Sequence, residues 1–85
     1  MKPVMVAAIL DANTLIVNHG NREEMDCDTL LRLEHGGKWL ALLEVKRVYE
    51  KMALVSPIWA HEHCPTVGVG QELKVVDPEL DLGVN

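Results

Sequence analysis

Two histidines and a cysteine fall within one short stretch, Trp59-Ala60-His61-Glu62-His63-Cys64-Pro65, which holds the densest grouping of metal-ligating side chains in the sequence. On an extended backbone His61 and His63 project to the same side, about 6 to 7 Å apart, a spacing compatible with one Zn²⁺ or Ni²⁺ ion. Cys64, or Cys27 brought in from elsewhere, would add a thiolate. The stretch lacks the spacing of a zinc finger and the helical His-Glu-x-x-His of a metalloprotease. A polar surface loop is therefore the competing reading of the same residues. Nucleophilic catalysis has weaker support. Cys64 could pair with His19, His35, His61 or His63, but a reactive thiolate needs an electropositive, partly enclosed site, and the surrounding charge is acidic. Carboxylates crowd Glu23 to Asp28 without the glycine and terminal glutamate of a calcium loop, so a solvated loop is expected there.

Net charge is −5, and the eight basic residues are scattered apart from Lys46, Arg47 and Lys51. A phosphate backbone demands a continuous Lys/Arg surface, so nucleic-acid binding is disfavoured. The apolar run Val4 to Leu10 after Lys2 is too short for a signal peptide and continues into Asp11 without a usable cleavage site. No apolar run approaches the ~20 residues needed to span a membrane as a helix. The expectation is a soluble, cytoplasmic protein with no membrane or nucleic-acid partner and no cofactor, whose Cys27 and Cys64 stay reduced.

These side chains must be positioned by strands. Hydrophobic residues make up 48% of the chain, mostly Val and Leu with no Phe, which excludes intrinsic disorder and suits pleated surfaces packed face to face. Val4 to Leu10 and Leu15 to Asn18 read as a hairpin turning at Asp11-Ala12-Asn13, where Asp and Asn stabilise tight turns through local hydrogen bonds. His19-Gly20-Asn21 ends the second strand, Gly and Asn being the residues that most readily accept positive φ. After the polar segment Arg22 to Asp28, Thr29 to Leu33 forms a third strand with Leu31 and Leu33 on one face. Gly36-Gly37 then permits a type I′ or II′ hairpin.

Trp39 to Met52 is ambiguous by periodicity. At helical spacing Trp39, Leu42, Leu43, Tyr49 and Ala53 share a face, but Lys46 and Glu50 fall in the same stripe. As a strand, Leu43 and Val45 alternate with Glu44 and Lys46, and one bulge at Lys46-Arg47 rephases the pattern to Val48. The strand is preferred, with a turn near Glu50-Lys51 leading into Met52 to Ser56. Pro57 ends or edges that fifth strand, Trp59 to Gly70 is irregular, and Gln71 to Val76 is the last strand. The expected fold is all-β: a small, five- to six-stranded, partly open SH3-like barrel over residues 1–78 with an acidic tail over 79–85. An α+β fold with Trp39 to Met52 helical is the alternative.

Three segments carry a resemblance: Leu15 to Gly20 with its Ile-Val-Asn-x-Gly, Asp28 to Leu33 (Asp-Thr-Leu-Leu-Arg-Leu), and Leu43 to Ala53 (Leu-Glu-Val-x-x-Val-x-x-Lys-x-Ala). Their order resembles the small SH3-like barrel at the C-terminus of the flagellar assembly protein FlgT and related bacterial modules. That resemblance implies a docking or structural role and supplies no catalytic residues.

The leading expectation is a non-enzymatic interaction or structural module acting through a strand edge or an apolar barrel face, with a protein partner or a second copy of itself. Small barrels often cannot bury every apolar strand face within one subunit. The candidate interface residues are Trp39, Val55, Ile58 and Trp59. The second expectation, from a different class, is metal binding by His61, His63 and Cys64. Trp39, Tyr49 and Trp59, the only aromatics, are otherwise expected to pack in the core or plug a barrel end.

Overall fold

The alternation of Val and Leu with polar residues is realised as six antiparallel strands in the computed structural model, which describes residues 2–77. They are β1 (Val4–Asp11), β2 (Thr14–Val17), β3 (Leu30–His35), β4 (Lys38–Val48), β5 (Ala53–Ala60) and β6 (Glu72–Val75). The sheet runs β1-β2-β5-β4-β3-β6 and closes into a barrel where β6 pairs with β1 through Val4↔Leu73 and Met5↔Glu72. The fold is thus all-β, and the barrel is closed where a partly open one was expected. The helical alternative for Trp39 to Met52 is excluded, because β4 pairs with β3 on one side and β5 on the other. The acidic tail lies outside the described residues, among which no helix is long and apolar enough to cross a membrane.

Local chemistry sets the turns. Asn13 N–H donates to Asp11 Oδ1 at 2.8 Å, the side-chain bond that tightens the β1–β2 turn. Gly36 and Gly37 both take positive φ (60° and 79°), as a type I′ hairpin between β3 and β4 requires. Gly20 departs from expectation. Its φ is −140°, and the left-handed residues of the following segment are Glu24 and Asp28. Gly20 is needed for space instead: a Cβ there would press on the backbone oxygens of Tyr49 and Met52 and the amide of Met52. That close approach seats the 3-10 turn Asn21–Glu23 against the β4–β5 connection, with Asn21 N–H donating to Tyr49 O at 2.7 Å and Arg22 N–H to Glu50 O at 3.0 Å. Met25 follows the turn and folds back into the core.

Val, Leu and Ala dominate the core, joined by Met25. Val6, Val17, Leu31, Leu43, Val45 and Val55 fill it, and the aromatic plug expected of a small barrel is absent, since neither Trp nor Tyr is buried. Bulges decide which side chains point inward. Register shifts leave Ala7, Leu10, Leu40, Lys46 and Ile58 as extra residues between paired neighbours. Each one flips the inward and outward alternation of the residues beyond it. At Lys46 this is the anticipated rephasing: Val45 pairs with Val55, Arg47 with Leu54, and Val48 with Ala53.

Candidate interaction surface

β5 does not end at Pro57 but continues to Ala60, pairing Pro57 with Leu43, Trp59 with Leu42 and Ala60 with Ala41. Its ladder with β2 stops earlier, covering only Ala53, Leu54 and Val55. From Ser56 onward β5 therefore has a strand partner on one side only. Pro57 fits this free edge for a definite reason. Val45 exchanges backbone hydrogen bonds with the Thr29 side of the sheet (Val45 N–H to Thr29 O, Asp28 N–H to Val45 O, both 2.9 Å), so the neighbouring Glu44 turns its peptide groups toward β5. Ser56, the partner of Glu44, faces β4 in return, and Pro57 faces the free edge, where its missing N–H costs no ladder bond.

Two of the expected interface residues lie on this free stretch and are open to solvent, Ile58 at 51% and Trp59 at 48% exposure. Val55 is not an interface residue. It is 0% exposed, because it sits on the inner face between Leu15 and Val45, at the last position where the strand pairs with β2. Trp39 is half-buried on the outer face, opposite Glu34, placed there by the bulge at Leu40.

The outer face beside Trp59 turns polar toward β3 and β6. Register partners place Lys74, Arg32, Leu42 and Trp59 in one row across β6, β3, β4 and β5. Arg32 lies over the Trp39 ring, 5.2 Å from its centroid, and its Nε donates to Glu34 Oε2 at 2.8 Å. Lys74 Nζ reaches Glu34 Oε1 at 3.4 Å. The Arg32 hydrogen bond outweighs the desolvation of Glu34 and, with help from Lys74, holds its carboxyl below the ordinary glutamate range. The cluster fixes Trp39 against its own sheet, whereas Trp59 is left with an exposed ring.

Leu10, at 58% exposure, and Ile9, at 45%, were not anticipated as surface residues. The available signal was the unbroken apolar run Val4 to Leu10, too continuous for a strand with one inward face. The bulges at Ala7 and Leu10 resolve that excess.

The His61–Cys64 stretch forms a turn after β5. The rings of His61 and His63 come together, with centroids 5.4 Å apart, and His63 N–H donates to His61 Nδ1 at 3.1 Å. A neutral ring accepting at Nδ1 carries its proton on Nε2, so in this conformation neither nitrogen of His61 is available to a metal. Cys64 directs its thiol to Pro65 O at 3.2 Å. Among the described residues no group of three or more His, Cys, Asp or Glu is arranged to hold a metal ion. Cys27 and Cys64 carry free thiols.

At the opposite end of the barrel an open groove of about 1080 Å³ runs between Lys2, the 3-10 turn and Val75. His19, only 7% exposed, forms part of its wall and donates from Nε2 to Lys2 O at 3.0 Å. Lys2 and Arg22 there face Glu23, Glu24 and Asp26, so the groove presents no single sign of charge. Comparison with protein-family models, curated proteins and solved structures finds no match for this chain.

Proposed function

We propose that this barrel is a non-enzymatic interaction or structural module that assembles through the apolar side chains of β5 beyond Val55, in the simplest case with a second copy of itself. The observation that carries the proposal is the exposure of Ile58 and Trp59 on a strand segment paired on one side only. Pro57 selects the mode of contact. With no donor at Pro57 on the free edge, continuation of the sheet into a partner strand is interrupted, and docking through side chains is favoured over strand addition. A half-exposed Trp is suited to this, since large rings supply much of the energy at interfaces. In the same proposal the barrel is SH3-like, of the docking kind found in the flagellar assembly protein, and works in a bacterial cytoplasm without a cofactor or a nucleic-acid partner.

The test is the mass in solution across a concentration series, for the wild type and for Trp59→Glu. The wild type is expected to dimerise with rising concentration, and the variant to stay monomeric with an unchanged circular dichroism spectrum. A strictly monomeric wild type at millimolar concentration, or a variant that dimerises equally well, would overturn the proposal. So would a variant that unfolds, because Trp59 would then belong to the core.

A further inference from the structure

We draw no further inference here: the strongest candidate, the exposed patch of Ile9 and Leu10 at the end of β1, carries nothing, since it is an unpartnered apolar face and nothing in the structure shows what covers it.

Discussion

Replacing Gly20 with alanine separates the two reasons a fold can require glycine. At φ −140° and ψ −148° Gly20 lies outside the left-handed region, so the loss on alanine is expected chiefly from the added methyl group. That methyl would lie 2.5 Å from Met52 N, 2.8 Å from Met52 O and closer still to Tyr49 O. Comfortable carbon contacts are about 3.5 to 4.0 Å. The obstructing atoms are backbone, so no rotamer change relieves them. The β4–β5 connection or the 3-10 turn would have to move by about 1 Å. Either shift disturbs the bonds joining them, Asn21 N–H to Tyr49 O and Arg22 N–H to Glu50 O, as well as Tyr49 N–H to Met52 O within the turn. Overpacking typically costs about 1 to 3 kcal/mol, and one or two weakened hydrogen bonds about 1 kcal/mol each. The expected loss is therefore about 2 to 5 kcal/mol, which lowers the melting temperature of a domain this size by on the order of 8 °C or more. Gly36→Ala is the control. Nothing lies within 4 Å of its Cβ position, but its φ is +60°, so only the left-handed penalty of about 1 to 2 kcal/mol applies. Urea denaturation at matched m-value measures both. If Gly20→Ala loses no more than Gly36→Ala, the close approach of the two backbones is not what Gly20 provides.

The division of β5 into a core half and a surface half predicts unequal alanine variants. Val55→Ala should lose about 2 to 3 kcal/mol, from two buried methyl groups and the cavity they leave, whereas Ile58→Ala in the monomer should lose under about 1 kcal/mol. Equal losses in urea denaturation would contradict the inner and outer assignment. Glu34 predicts a pH dependence: because Arg32 and Lys74 lower its pKa in the folded state, its contribution is complete at neutral pH and is lost as pH falls through the carboxylate range. Glu34→Gln should therefore be less stable than the wild type near neutral pH, with the two denaturation midpoints converging as the pH falls below the carboxylate range. A gap of the same size at both pH values would show that the ion cluster does not carry it.

Strand positions were legible in the sequence where alternation is clean. Leu31 and Leu33, Leu43 and Val45, and the Asp11 and Gly36-Gly37 turns follow directly from side-chain period and turn chemistry. Even the bulge at Lys46 was readable, because a polar residue breaks an otherwise regular run there. Gly20 was not. A sequence shows that a residue lacks a side chain but not which backbone comes close to it, and the partners here, Tyr49 and Met52, are about thirty positions away along the chain.

The candidate surface residues were legible in composition but not in placement, and bulges account for the difference. In an unbroken β5, Val55, Pro57 and Trp59 would share one face and Trp59 would point into the barrel. The extra residue at Ile58 flips the alternation, so Val55 faces the core and Trp59 faces out beside Leu42. The extra residue at Leu40 does the same on β4 and sends Trp39 outward to meet Arg32. Neither bulge falls on a glycine or a charged residue, so neither announces itself in the sequence. Together they move the rings that could plug the barrel end to the outer surface and leave Ala41 paired with Ala60 between β4 and β5. Deleting Ile58 should return Trp59 toward the interior and remove the exposed ring, which iodide quenching of tryptophan fluorescence would read; unchanged quenching would contradict this role of the bulge.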